Sequence, residues 1–150
     1  MTFDDTFAQW LDTSLSLSPP DQVNGFSFNL TNIQGDRFAI ELIGASRFDE
    51  QDPDWACDEL WQATPRQIEI PAGALGTNWT DVLEGSKQLI ARYLNSGKQN
   101  NILKAAEGIA VGFVDGDLIV AHGVNAGLLT ASCGVGLFGV TVFTVDPRNQ

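Results

Sequence analysis

The chain is poor in the residues from which metal and nucleophilic sites are most often built. It has one histidine, His122, and two cysteines, Cys57 and Cys133, which are far apart and not in a CxxC spacing. Zinc and similar metals usually take three or four ligands of these types. We therefore expect no transition-metal site. For the cysteines, a pair of buried free thiols is the default interpretation, and a single disulfide is the alternative.

Basic residues are also scarce. Eight Lys and Arg stand against 19 Asp and Glu, which gives a formal net charge of −11. Such a charge repels nucleic acid and anionic membranes and attracts basic proteins. The charge is uneven, because residues 1–60 carry twelve acidic residues against two arginines, a net charge of −10. This asymmetry favours a basic protein partner, and solubility alone is the alternative explanation.

The sequence shows no targeting signal, since it begins Met-Thr-Phe-Asp-Asp without a basic segment or an early apolar run. We therefore expect no signal peptide and a cytoplasmic location. Residues 118–145 contain no charged side chain, which raises the question of a membrane span. Their glycines and polar residues, with β-branched residues near the end, favour one or two buried strands instead.

Hydrophobic periodicity indicates the fold class. Apolar residues at helical spacing predict a helix over 3–15, a longer one from Asn78 to Gly97 and a short one over 101–107. Alternation predicts a β-hairpin over 26–42, and Asp115-Gly116 predicts a second hairpin turn. We predict a single α+β domain, residues 1–150, in which an antiparallel β-sheet carries helices packed on one face.

An acidic segment with two tryptophans is the best candidate for a binding site. Residues 49–54 are expected to form a solvated loop, residues 55–61 a short strand or one helical turn, and residues 67–70 a short strand. Carboxylates beside aromatic rings are suited to receive lysine or arginine. The candidate partner-binding residues are Asp49, Glu50, Asp52, Asp54, Trp55, Asp58, Glu59 and Trp61. The alternative is that at least one of the two tryptophans belongs to the core.

The same acidic segment does not match a calcium-binding loop. Counted from Asp49, the third, fifth and sixth positions of an EF-hand loop would be Gln51, Pro53 and Asp54, so the ligand spacing and the glycine fail. Only a weak, adventitious ion site is left as an alternative. We predict no metal site and no cofactor.

No catalytic set is evident. His122 could act with Cys133 or with a carboxylate if the fold brought them together, but no nucleophile motif accompanies it. The glycine-rich stretches 73–76 and 134–139 lack the residues of a phosphate-binding loop. A non-enzymatic interaction protein is therefore the leading hypothesis. The alternatives are a small hydrolase or transferase using His122, and an oligomer-forming domain that associates through its uncharged strands.

Two short stretches carry a family resemblance. Residues 47–60, Arg-Phe-Asp-Glu-Gln-Asp-Pro-Asp-Trp-Ala-Cys-Asp-Glu-Leu, and residues 112–118, Gly-Phe-Val-Asp-Gly-Asp-Leu, resemble small bacterial immunity proteins. Those proteins neutralise toxins in competition between bacteria. The resemblance implies a compact, acidic, cytoplasmic protein that inhibits by binding a basic toxin domain, and it assigns no individual site residues.

Overall fold

The protein has an α+β fold, as predicted. The computed structural model describes residues 2–49, 53–113 and 138–144. The helices are α1 (Phe3–Ser16), α2 (Trp79–Ser96) and α3 (Asn100–Lys104), with a 3-10 turn at Pro53–Cys57. The strands are β1 (Gly25–Gln34), β2 (Arg37–Ala45), β3 (Glu59–Ile70), β4 (Gly108–Phe113) and β5 (Phe138–Thr144).

Both long helices begin with side-chain caps. Thr2 accepts a hydrogen bond from the Asp5 backbone N–H, and the Asp5 carboxylate accepts one from the Thr2 N–H. Asn78 caps α2 by accepting from the Asp81 N–H. These bonds satisfy donors that the first turn of a helix leaves without partners. The predicted start of α2 and its end before Gly97 are confirmed, whereas α3 ends at Lys104, earlier than predicted.

The strands form one sheet in the order β3-β2-β1-β4-β5. The predicted hairpin is confirmed, because β1 and β2 pair antiparallel across a turn where Gly35 has a positive φ of 59°. The pairing of β1 with β4 is parallel. Helices α2 and α3 lie between β3 and β4 in the chain, so β4 can enter beside β1 in the same direction. The sheet is therefore mixed, with antiparallel pairing everywhere else.

Strand β3 resolves the most ambiguous part of the sequence. The segment 55–61 is predicted as a strand or a helical turn, and it contains part of each. The 3-10 turn ends at Cys57, and β3 begins at Glu59. The strand predicted over 67–70 is the last part of this longer one. A cis Thr64–Pro65 peptide lies within it. Proline is tolerated there because, among the described strands, β3 is the last on its side of the sheet and pairs with β2 alone.

The main core lies between one sheet face and the helices, which confirms that the helices pack on one face. Alternate residues of the strands point into this core, and the buried faces of α1 and α2 cover them. Its members include Phe26, Phe28, Leu30, Phe38, Ile40, Leu42, Ile109, Val111 and Phe113 from the sheet, with Phe7, Leu11, Leu15, Val82, Leu89 and Ile90 from the helices. Each fully buried side chain of this kind contributes roughly 1.5–3 kcal/mol.

The uncharged C-terminal stretch is described only at β5. Strand Phe138–Thr144 agrees with the prediction of a strand in that stretch. The hairpin predicted at Asp115-Gly116 falls outside the residues that the structure describes. Within residues 2–49, 53–113 and 138–144, no helix is long and apolar enough to cross a membrane.

The default expectation of free thiols is wrong at Cys57, which is disulfide-bonded. Cys133, the other cysteine of the chain, lies outside the described residues. Separation along the chain carries no information about distance in the fold, so the cysteine spacing could not decide between a thiol and a disulfide.

Two buried serines on α1 and α2 form a matched pair for testing the packing. Ser14 and Ser86 are both completely buried. The Ser14 hydroxyl accepts a hydrogen bond from the Thr64 N–H at 3.0 Å and donates one to the Thr64 carbonyl at 3.3 Å. The Ser86 hydroxyl has no hydrogen-bond partner. We expect Ser14→Ala to lower the free energy of unfolding by about 1–3 kcal/mol.

The corresponding change Ser86→Ala should leave that free energy unchanged or raise it by up to about 1 kcal/mol, because it removes a buried hydroxyl without breaking a bond. Urea denaturation of the two variants and the native chain measures both values. Equal losses in the two variants would contradict the hydrogen-bond assignment.

Candidate protein-binding surface

Four strands meet at one end of the sheet, which we call the acidic end. Gly25 of β1 lies opposite Ala45 of β2 and beside Gly108 of β4, and Ala45 lies opposite Glu59 of β3. The segment that connects β2 to β3 is residues 46–58, and its described parts, 46–49 and 53–58, lie at this end. We include that segment in the acidic end, because it carries most of the candidate binding residues.

Two aromatic rings hold the connecting segment against the sheet. Phe48 and Trp55 pack edge to face with their centroids 5.0 Å apart. They belong to a small cluster on the second face, away from the helices, with Ile43, Ala45 and Ala110. Only 3% of Trp55 is exposed. Trp55 is therefore a core residue, which confirms the alternative considered for at least one of the tryptophans.

This packing requires glycine at two positions. A Cβ atom at Gly25 would lie 2.6 Å from the Trp55 ring, and one at Gly108 would clash with the Phe48 ring. Distances this short do not occur between real side chains, so the rings can approach only because the backbone is bare there. The first residues of β1 and β4 are thus shaped to receive the connecting segment.

Backbone hydrogen bonds fix the same segment. The Ser46 N–H donates to the Asp58 carbonyl at 2.9 Å, and the Asp58 N–H donates to the Trp55 carbonyl at 3.2 Å. The Asn24 side-chain amide donates to the Ser46 carbonyl at 2.9 Å. The first residue of the segment, Ser46, is therefore hydrogen-bonded to its last residue, Asp58, and to Asn24, the residue before β1.

The predicted binding residues do not form one continuous patch. Trp61 lies on the helix-covered face, where its ring meets Phe26 edge to face at 5.9 Å, so it is on the opposite side of the sheet from Trp55. Asp49 and Asp58 are exposed. Of the remaining predicted residues, Glu50 and Asp52 lie outside the described residues, and Asp54 is described only by its backbone in the 3-10 turn.

Arginines neutralise part of the predicted acidity. Asp58 forms a 2.5 Å ion pair with Arg47. Glu59 is bound by both terminal nitrogens of Arg66, at 2.7 and 2.9 Å. A parallel, two-bond contact of this kind is among the strongest polar pairings in proteins. These acidic residues are thus oriented as well as charged.

Arg66 is the functional-site residue that sequence reasoning missed. Its Nε also donates to Glu41 at 2.8 Å, and Nη1 donates to Gln62 at 2.7 Å. The hydrogen bond to Glu59 raises the pKa of Arg66 above its ordinary value, partial burial opposes this, and Glu41 adds to the rise. One arginine thus binds two carboxylates. Nothing in the local sequence indicates that these residues meet.

The network continues inward across the sheet. The Asn29 side-chain amide donates to Glu41 at 2.8 Å, and the Ser27 hydroxyl donates to the Asn29 carbonyl oxygen at 2.7 Å. Ser27 and Asn29 are buried, and they lie on the same face as Glu41 because they alternate with Phe26, Phe28 and Leu30. The second face therefore has a polar middle, anchored by Arg66 at the β3 edge.

A separate cleft of about 310 Å³ lies between α1 and α2. Inside it the Tyr93 hydroxyl donates to Asp12 at 2.6 Å and accepts from the Gln99 N–H at 3.2 Å. Burial is the main reason that the pKa of Tyr93 is raised, and the bond to Asp12 adds to it. Across the cleft Arg92 pairs with Asp4 at 2.9 Å. The Tyr93–Asp12 and Arg92–Asp4 contacts each join α2 to α1, so these polar groups serve to hold the two helices together.

In the part of the chain that the structure describes, no three His, Cys, Asp or Glu side chains are grouped so that they could hold a metal ion. The residues of the enzymatic alternative, His122 and Cys133, lie outside that part, as do Asp115 and Asp117.

Comparison with protein-family models, with curated proteins and with solved structures gives no match for this chain. The resemblance to immunity proteins therefore stays a prediction from residues 47–60 and 112–118.

The Arg66 network can be tested against a simpler ion pair in the same sheet. Arg66→Gln would leave Glu41, whose side chain is only 18% exposed, without its charged partner. We expect a loss of about 1–2 kcal/mol in the free energy of unfolding. The matched change is Arg37→Gln, because among the described residues Arg37 forms an ion pair with Glu69 alone, and both side chains are about half exposed, at 51% and 47%.

For Arg37→Gln we expect a change within about 0.5 kcal/mol, as for most exposed ion pairs. Urea denaturation at low salt compares the two variants. Similar losses would show that Arg66 contributes no more than a surface arginine.

Proposed function

We propose that this chain is a non-enzymatic interaction protein that binds a basic protein partner at the acidic end of the sheet. The observation that supports this most strongly is the charge of that end. Residues 46–59 carry six acidic residues against one arginine, Arg47, a net charge of −5 along the sequence, and Arg66 of β3 binds one of the six, Glu59. Asp49 and Asp58 lie on the described parts of the segment, 46–49 and 53–58, which also carry the packed Phe48 and Trp55 rings.

The packing of the described parts of the segment, 46–49 and 53–58, distinguishes it from a merely solubilising loop. A solubilising loop needs no particular conformation, whereas this one is closed by the Ser46–Asp58 hydrogen bond and buries an entire tryptophan. Ordering a surface before the partner arrives lowers the entropy cost of binding. Carboxylates on such a surface steer a basic partner towards one orientation.

Within this class we propose an inhibitor of the immunity type. The resemblance at 47–60 falls on the connecting segment of the acidic end, so the segment with the resemblance is also the one with the charge. A protein of this kind would cover a basic surface of a toxin domain, and the inhibition would need no catalytic residue of its own.

A charge reversal at two exposed aspartates separates a local surface from the overall charge. Asp49→Lys changes the acidic end, whereas Asp36→Lys makes the same change in the β1–β2 turn at the opposite end of the sheet. Partner capture from the source organism would be followed by affinity measurement with the purified partner. We expect Asp49→Lys to weaken binding about tenfold at low salt and less at moderate salt, because ions screen exposed charges.

The Asp36→Lys variant has the same net charge and should bind within about twofold of the native chain. Equal weakening by both substitutions would show that only overall charge matters. No weakening in either would contradict the proposed surface.

The location of the protein bears on this proposal. The sequence predicts the cytoplasm, and the disulfide at Cys57 opposes that prediction because cytosolic thiols are kept reduced. We expect Cys57 to resist alkylation when cells of the source organism are trapped with a thiol reagent before lysis. Mass spectrometry measures the labelled fraction, and a sample reduced before labelling is the control. Full labelling without reductant would favour the cytoplasm.

A further inference from the structure

A second cleft opens beside the acidic end, on the helix side of the sheet. Its volume is about 360 Å³. Its lining includes the apolar residues Pro19, Val23, Phe26 and Ile102, which we call its apolar floor. The polar groups of the lining come from Ser18, Asp21, Asn24 and Asn101. This combination of an apolar floor and a few polar groups is typical of sites that receive a side chain or a small ligand.

The cleft and the acidic end share a wall. Asn24 lines the cleft, and its side chain donates to the Ser46 carbonyl at the start of the connecting segment. Its backbone N–H donates to the Ala45 carbonyl at 2.8 Å, and its carbonyl accepts from the Glu107 N–H at 2.8 Å. Asn24 is thus bonded to the end of β2 and to the residue before β4, which makes this wall rigid.

Among the residues that line the cleft, Asp21 is the one that carries a charge. Asp21 is exposed, and it forms no ion pair with any described residue. Lys104 is next in sequence to the lining residue Ala105, and Lys98 is three residues before the lining residue Asn101. An incoming group with positive charge around an apolar centre would complement both the floor and its surroundings.

The burial of Trp55 gives an independent reason to look for an apolar contact here. Strong interfaces usually contain an apolar anchor within a charged surround. The sequence suggests that this chain supplies the anchor through Trp55, but that ring is packed under the sheet. If the acidic end binds a partner, the apolar anchor has to come from the partner, and the neighbouring cleft is where it fits.

We infer that this cleft receives an apolar side chain of the partner, set within a basic segment whose lysines and arginines face Asp21 and the acidic end. The inference rests on the proposed function, since it names the chemistry of the same partner. The occupant is a protein segment with one large aliphatic or aromatic residue and cations on both sides.

Two short peptides test this directly. The probe is an acetylated and amidated pentapeptide with leucine at its centre and two arginines on either side. The matched peptide has serine at the centre. Titrations at low salt would be followed by nuclear magnetic resonance of the labelled full chain. We expect the leucine peptide to bind at least about tenfold more tightly, because burial of one leucine side chain accounts for a difference of that size.

Variants of the chain locate the binding. Ala105 is exposed, lines the cleft and has a helical backbone, so Ala105→Leu should fill the cleft and remove the preference for leucine. Ala91→Leu is the matched control, since Ala91 is exposed on α2 and does not line this cleft. Asp21→Asn should weaken both peptides about equally, whereas Asp36→Asn should not.

The possible results separate the two proposals. If both peptides bind with equal, salt-sensitive affinity, the result supports the acidic end as a binding surface. It contradicts the cleft as the site of the apolar contact. A leucine preference that persists in Ala105→Leu also overturns the cleft. If no basic peptide binds even at low salt, the proposed function fails, and this inference fails with it.

Discussion

The contact on which the acidic end depends is the packing of two aromatic rings against bare backbone. Phe48 and Trp55 lie over Gly108 and Gly25, and a single added methyl group at either glycine would separate them. The apolar area that these rings bury offsets the entropy cost of ordering a segment rich in carboxylates. This contact packs Phe48 and Trp55, one from each described part of the segment (46–49 and 53–58), against the second sheet face.

Charge in this protein is organised by a few arginines. Arg66 on β3 binds Glu41 and Glu59, and Arg92 on α2 binds Asp4, so cations from beyond residue 60 neutralise part of the acidic N-terminal region. The excess of negative charge in residues 1–60 is therefore partly neutralised in the folded protein by arginines from the rest of the chain. Asp21, which is exposed, forms no ion pair with any described residue. A patch that stays negative after internal pairing is better evidence for a partner than a count of acidic residues.

The parts of the fold that could be predicted are those decided by neighbours in the chain. The capping residues Thr2 and Asn78 act within one helical turn. The β1–β2 hairpin needs only alternating side chains and a short turn that contains Gly35, so its existence could be predicted, whereas the register shift between Asn32 and Gln34 could not. Segment 55–61 was ambiguous because it contains the boundary between two elements, and a period of two or of 3.6 cannot be recognised over so few residues.

The sequence by itself determined the α+β fold class, the positions of the helices and of the β1–β2 hairpin, and the segment where negative charge is densest. These follow from residue propensity, hydrophobic periodicity and composition. Only the tertiary structure decided that β4 lies parallel to β1, that Trp55 and Trp61 face opposite sides of the sheet, and that Arg66 joins Glu41 to Glu59. Each of these depends on residues brought together by strand order, and strand order is set by how the whole core packs. The candidate surface therefore combines a charge that is visible in the sequence with an arrangement that only folding creates.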